Sequence, residues 1–285
     1  MSTPEASTGG PGFICVGTQR AGTSWLHNAL RQQPDYWLPP FKELNFFVPA
    51  GPRANIDQKL LTFHRVFTAQ VQRGQAVPET LRWFSDLCLA PTMDLDWYRG
   101  LFSPAGPRLA GDISPSYFRL SDPQVAGVAA ALPRAKVLLL LRQPLDRARS
   151  QHRFMVNRGL WPATMPEAEV VARLTAPQSM AWGDYLATIQ RWEAHFPGRV
   201  GVFFYDRLCT APEAHLKAIG EFLGRPIRRT PPEATINAGG PGAPPWSTAA
   251  SAVVAAAFLP KMQALAARYP EPVHRWCAEL SAAMP

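Results

Sequence analysis

Apolar residues in this chain gather into short unbroken runs, each followed by a polar turn and then by a stretch with one apolar face. The run Phe13-Ile14-Cys15-Val16 has no polar interruption, as a strand buried on both faces requires. A glycine-containing loop follows, then a helical pattern from about Thr23 to Gln32. Trp25, Leu26, Ala29 and Leu30 share its apolar face, with His27, Asn28, Arg31 and Gln32 opposite. Lys136 to Leu141 repeats the theme with five apolar residues in succession, and Pro144 suits the first position of the helix after it. A third strand is predicted over Val200 to Tyr205, between helical stretches Trp182 to Phe196 and Pro212 to Leu223. Weaker strands are expected near Tyr36 to Leu38 and Arg108 to Gly111. Strands alternating with helices predict an α/β fold in three layers, a central parallel sheet flanked by helices.

The rest of the chain adds helices and loops. Gly51 to Leu101 carries no strong strand, and Pro231 to Pro245 is a Gly/Pro-rich loop before a helical part at about 246–285. With no repeat and no linker, the 285 residues read as a disordered start over 1–12 and a single domain over 13–285. The start lacks a basic region followed by an apolar one, so no signal peptide is expected. Ala249 to Pro260 reads as too short and too Ala-rich to cross a bilayer, so no membrane anchor is expected. Cys15, Cys88, Cys209 and Cys277 form no CxxC pair, which argues against a disulfide framework or a zinc site. Cys15 and Cys209 read as small buried hydrophobes, and a cytoplasmic location is expected.

Charge sharpens the picture. The net charge of +8 comes from 29 basic and 21 acidic side chains, and all but five of the basic residues are Arg. This is either a compositional preference or a surface for anions, which Arg grips in a bidentate fork. No Lys/Arg run of five or more and no nucleic-acid-reading motif is present, so a nucleic-acid partner is not expected.

The chemistry is concentrated in the first loop. Gly17-Thr18-Gln19-Arg20-Ala21-Gly22-Thr23-Ser24 lies between the first strand and the first helix, where backbone N–H groups and the helix terminus form an anion site. The spacing is that of a nucleotide P-loop, which makes the fold P-loop-like, but the usual Gly-Lys-Ser/Thr ending is absent and the cation is Arg20. The second strand discriminates further. In a Mg-dependent NTPase an apolar strand normally ends in an Asp that helps hold the metal, whereas here Val137 to Leu141 ends in Arg142. A cation there attracts a second phosphate.

With these residues in view, the chain resembles the PAPS-dependent sulfotransferases, especially the heparan-sulfate type and their bacterial relatives; PAPS is 3′-phosphoadenosine 5′-phosphosulfate. Gly17 to Leu26 looks like the family's loop for the 5′-phosphosulfate, which implies donor contacts from Arg20, Ala21, Gly22, Thr23, Ser24 and Trp25. Leu138 to Ser150 looks like its 3′-phosphate segment, with Arg142 and Ser150 as the grip. Pro39 to Phe47 looks like its Lys-Glu-x-His-Phe-Phe stretch, with Asn45 where the family often has His. Weaker echoes are Gly111 to Tyr117, Asp96-Trp97-Tyr98 and Tyr205 to Leu208.

The resemblance implies an enzyme that moves a sulfuryl group from PAPS to a hydroxyl or amine of a glycan or small metabolite, releasing 3′,5′-ADP without a required metal. In that reading Arg20 meets the bridging oxygen and sulfonate, Glu43 is the general base, and Lys42 and Asn45 lie near the reacting groups. Asp112 and Ser114 are placed on the acceptor side. Plainer readings stand beside these: a surface pair of Glu43 with Lys42, a bridge from Arg142 to Asp146, and an ordinary turn at Asp112 to Pro115. Arg147, Arg149 and Arg153 are expected on a solvated helix face, and His152 on a helix surface. The late Gly/Pro stretch Thr235 to Gly242 has the family's glycines but no cation, for which Arg228 and Arg229 are candidate substitutes. A nucleotide-binding protein without turnover and a P-loop kinase are the competing functional readings.

Overall fold

The structure, a computed structural model, describes residues 9–49, 64, 67–68, 71–72, 78–90, 92–228 and 243–284. Among them, β1 (Phe13–Gly17), β2 (Tyr36–Trp37), β3 (Leu109–Ile113), β4 (Lys136–Leu141) and β5 (Val200–Phe204) form one parallel sheet in the order β2-β3-β1-β4-β5. Because successive side chains point to opposite faces, each continuous apolar run feeds two cores. Ile14, Val16, Val137, Leu139 and Leu141 enter the larger one, while Phe13, Cys15, Leu138 and Leu140 enter the smaller.

Helices cover both faces, as the alternating pattern predicts. The smaller core is closed by α1 (Thr23–Arg31), through Trp25, Leu26, Ala29 and Leu30, and by a late helix, Pro212–Leu223, whose Leu216, Ile219 and Leu223 point inward. The other helices, in chain order, are α2 (Pro78–Cys88), α3 (Leu95–Gly100), α4 (Asp122–Ala131), α5 (Pro144–Asn157), α6 (Glu167–Thr175), α7 (Pro177–Met180), α8 (Tyr185–His195) and α9 (Tyr205–Thr210); Pro212–Leu223 is then α10, followed by α11 (Thr248–Ala266) and α12 (Pro270–Ala282). Val125 and Val128 of α4, Ile189 and Trp192 of α8, and Val254, Phe258 and Trp276 of the last two helices build the larger core. Each such side chain contributes roughly 1.5–3 kcal/mol relative to exposure. β1 sits at the centre of the sheet. The helix after it packs on one face and the helix after β4 on the other, so a crevice opens between their connecting loops, as expected at a topological switch point.

Several elements differ from the sequence expectation. β3 runs on to Ile113, so Asp112 lies inside a strand opposite Ile14 rather than beyond a strand end. The third strand stops at Phe204, and Tyr205 starts a helix. On α1, His27 is buried, its Nε2 3.3 Å from the Pro39 carbonyl, because the segment after β2 folds back over it. Two residues of α5 expected in solvent are also covered. Arg147 is buried beside Tyr185, and His152 lies under Trp246, whose Nε1 donates to its Nδ1 at 2.9 Å. Cys209, by contrast, is exposed on α9. The apolar stretch near the C-terminus is longer than expected. α11 has 19 residues and a mean hydropathy of 1.4, long and apolar enough to cross a bilayer by composition, yet Val254, Phe258 and Met262 face the core against α12.

Candidate active site

Two strand ends build the site. The loop after β1 leads into α1, with Gly22 at its cap in the left-handed region (φ 87°) and Thr23 and Ser24 in its first turn. An α1 N-terminus with free amides and two hydroxyls is an anion cradle. Arg142 leaves the end of β4, and in the second turn of α5 Ser150 comes round on the side facing that loop. An open cleft, about 430 Å³ with the solvent space at its mouth included, is lined by Arg20, Gly22, Thr23, Ser24, Trp25, Arg142, Ser150 and Tyr205.

The two loops are joined directly. Arg142 Nη1 donates to the Arg20 carbonyl at 3.1 Å, and Arg20 Nε donates to Ser150 Oγ at 3.1 Å. The Arg20 guanidinium lies over Phe154 at 4.7 Å, and that of Arg142 over Tyr205 at 4.4 Å. Burial lowers the pKa of Arg20, and the neighbouring charges of Arg142 and Arg153 lower it further. Clustered guanidiniums with few carboxylates among them are electrostatically costly until an anion balances them. Arg142 Nε is buried and has no hydrogen-bond partner in the protein, a donor suited to a phosphate oxygen. Asp146 pairs with Arg149 at 3.5 Å, so the bridge to Arg142 that the sequence left open does not form.

The Lys-Glu stretch approaches from the far side of the loop. Lys42 Nζ donates to Thr23 Oγ1 at 3.2 Å and to Ser24 Oγ at 2.9 Å, and lies 3.5 Å from the Glu43 carboxylate. Glu43 is half-exposed and Lys42 largely covered. Burial lowers the Lys42 pKa, and Glu43 opposes that shift. Glu43 and Asn45 both hold positive φ, 66° and 55°, which non-glycine residues adopt only when their surroundings enforce it.

Those surroundings are Asp112 and Ser114. The Asp112 carboxylate, 1% exposed, accepts from Tyr98 Oη (3.0 Å), Tyr117 Oη (2.9 Å) and Ser114 Oγ (2.7 Å). Ser114 Oγ accepts the Asn45 N–H at 3.2 Å, Tyr117 Oη accepts the Phe46 N–H at 2.9 Å, and Glu43 N–H donates to the Ile113 carbonyl at 3.0 Å. Asp112 and Ser114 are therefore fully buried behind the Glu43 segment and hold its backbone. Neither is among the residues that line the cleft described above. Asn45 is likewise buried.

Sequence reasoning passed over Tyr205 as a cleft residue, although it stands directly after an apolar strand just as Arg142 does. Tyr98 and Tyr117 belong to two of the weaker echoes, and only the fold shows that they meet on one carboxylate. Of the late-loop substitutes, Arg228 Nε lies 3.4 Å from Asp35 and its N–H donates to Gln33 at 2.9 Å; Arg229 and Thr235 to Gly242 lie outside the described residues.

Comparison with known proteins bears on this geometry. The model of the Sulfotransferase family matches residues 11–229. Bifunctional heparan sulfate N-deacetylase/N-sulfotransferase 2 from Homo sapiens is 26% identical over 230 residues, 75% of this chain and 22% of that protein. The Bos taurus protein is 26% identical over 233 residues, with the same coverage. The chain thus spans about a fifth of the length of these relatives. Among solved structures, a sulfotransferase from Alicyclobacillus acidocaldarius superposes with a TM-score of 0.66 at 23% identity, covering 93% of this chain and 98% of that one. The sulfotransferase domain from the curacin biosynthetic pathway gives 0.53 at 19% identity, covering 76% and 75%. At these identities the structural likeness establishes a shared fold.

Proposed function

This chain belongs to the sulfotransferase family and is a sulfotransferase enzyme, and on that premise we propose that its donor is PAPS and its acceptor a hydroxyl or amine of a glycan or small metabolite. The observation that carries the donor reading is the pairing of two anion sites in one cleft. The α1 terminus with Thr23 and Ser24 suits a 5′-phosphosulfate, and Arg142 with Ser150 suits a 3′-phosphate. Arg142 Nε supplies a buried donor for that second phosphate. A nucleotide without a 3′-phosphate leaves this end of the cleft uncompensated, so the site selects PAPS over ATP.

Sulfuryl transfer is an in-line displacement in which the protein contributes position and charge. Glu43 takes the acceptor's proton as its oxygen or nitrogen attacks sulfur. An amine acceptor has the N-sulfotransferase named among the relatives in its favour. Titration calorimetry tests the donor reading: 3′,5′-ADP binds at least tenfold more tightly than ATP, and Arg142→Ala removes the preference. Equal affinity for the two nucleotides overturns it.

A further inference from the structure

Two of the cations at the loop reach in opposite directions from it. Arg20 reaches towards α5, with Nε on Ser150 Oγ at 3.1 Å and its guanidinium carbon over the Phe154 ring. Lys42 reaches the opposite way, its Nζ hydrogen-bonded to the hydroxyls of Thr23 and Ser24 and 3.5 Å from Glu43. Any anion held by those two hydroxyls lies within about two hydrogen-bond lengths of the Lys42 ammonium. The same ammonium is the nearest cation to the carboxylate proposed as the base. It therefore stands between donor loop and base, where the sulfuryl group must pass.

We infer that Lys42 is the catalytic cation of sulfuryl transfer, contacting the bridging oxygen and the sulfonate, while Arg20 serves chiefly to bind the donor at its 3′-phosphate end. The inference rests on the PAPS reading above. In the step, the bond between sulfur and the bridging oxygen breaks and its electron pair stays on the 5′-phosphate of the departing 3′,5′-ADP. The acceptor oxygen or nitrogen forms the new bond to sulfur, and its proton passes to Glu43. Lys42 keeps its proton and donates hydrogen bonds to the oxygen on which charge grows. A compact ammonium on a flexible stem can follow the sulfonate across this distance, whereas the Arg20 guanidinium sits over an aromatic ring and is bonded to Ser150. The position is firm: Phe41 before Lys42 is buried, and Glu43 after it is tied to β3.

The test separates affinity from rate. Wild type, Lys42→Ala, Lys42→Met and Arg20→Ala are titrated with 3′,5′-ADP, and sulfate release from radiolabelled PAPS to water is followed at saturating donor. Lys42→Ala and Lys42→Met bind 3′,5′-ADP within about threefold of wild type but release sulfate roughly 10²-fold more slowly, the scale for loss of one transition-state donor. Added methylamine restores part of the Lys42→Ala rate, which a packing defect would not allow. Arg20→Ala loses mainly affinity, by at least tenfold, and its saturated rate falls less than that of Lys42→Ala. A Lys42→Ala rate within threefold of wild type, a loss confined to affinity, or absence of rescue by methylamine overturns the assignment. So does a wild type that binds 3′,5′-ADP yet releases no sulfate. A wild type that does not bind 3′,5′-ADP overturns the donor reading itself.

Discussion

Asp112 and Glu43 are both carboxylates in a basic chain, and their surroundings are opposite. Glu43 is half-exposed at the mouth of the loop, while Asp112 has its oxygens taken up by two phenols and a serine. Replacing Glu43 by Gln keeps the shape and removes the proton acceptor. Transfer should fall at least 10²-fold with 3′,5′-ADP affinity nearly unchanged, checked by single-turnover assay and calorimetry. Normal turnover in Glu43→Gln would mean that another residue is the base. Tyr117→Phe removes one donor to Asp112 and the acceptor for the Phe46 N–H. Leaving buried groups unsatisfied costs about 1–3 kcal/mol, so urea denaturation should show that loss, together with slower transfer as the Glu43 segment loosens. Residue types were legible here, but burial was not: only the fold shows that Asp112 is enclosed while Glu43 stays half-exposed.

Elements were read more securely than faces. β4 and α10 occupy the spans that their apolar patterns predict, and α5 begins at Pro144, because continuous runs and periodic stripes are local properties. Whether a polar residue on a helix meets water depends on what packs there later. His152 is covered by Trp246, 94 residues on, and His27 by the segment around Pro39. The turn from β1 into α1 illustrates how tightly an element junction can be constrained. Gly22 has φ 87°, and a Cβ there would stand 2.7 Å from Leu208 Cδ2 and 3.0 Å from Tyr205. Gly22→Ala therefore adds a left-handed strain of about 1–2 kcal/mol and displaces a wall of the cleft. Its signature should be a lower denaturation midpoint and a loss of 3′,5′-ADP affinity of tenfold or more; unchanged binding would show that the loop tolerates a side chain there.

At the scale of the whole molecule, burying histidines makes stability depend on pH. Burial pushes His27 down to about 3 and His215 down to about 4, so both are neutral in the folded protein near pH 6 while the unfolded chain protonates them below about 6.5. The unfolded state then binds more protons. Stability is complete above the unfolded pKa and falls as pH drops from about 6.5 towards 4, by up to about 1.4 kcal/mol per pH unit for each group. Urea titrations between pH 7 and 5 check this, and substituting both His27 and His215 by Gln should flatten the slope; an unchanged slope would show that other groups dominate. The sequence by itself determined the layered α/β fold, the strand–loop–helix junction around Arg20 and the strand-end Arg142, because these depend on residue type and spacing within one continuous segment. Only the tertiary structure decided that Ser150 and Arg20 meet, that Lys42 reaches Thr23 and Ser24, and that Asp112 is buried behind the Glu43 segment. Those relations join segments from 18 to 130 residues apart, and they exist only once parallel strands have brought their loops to one end of the sheet.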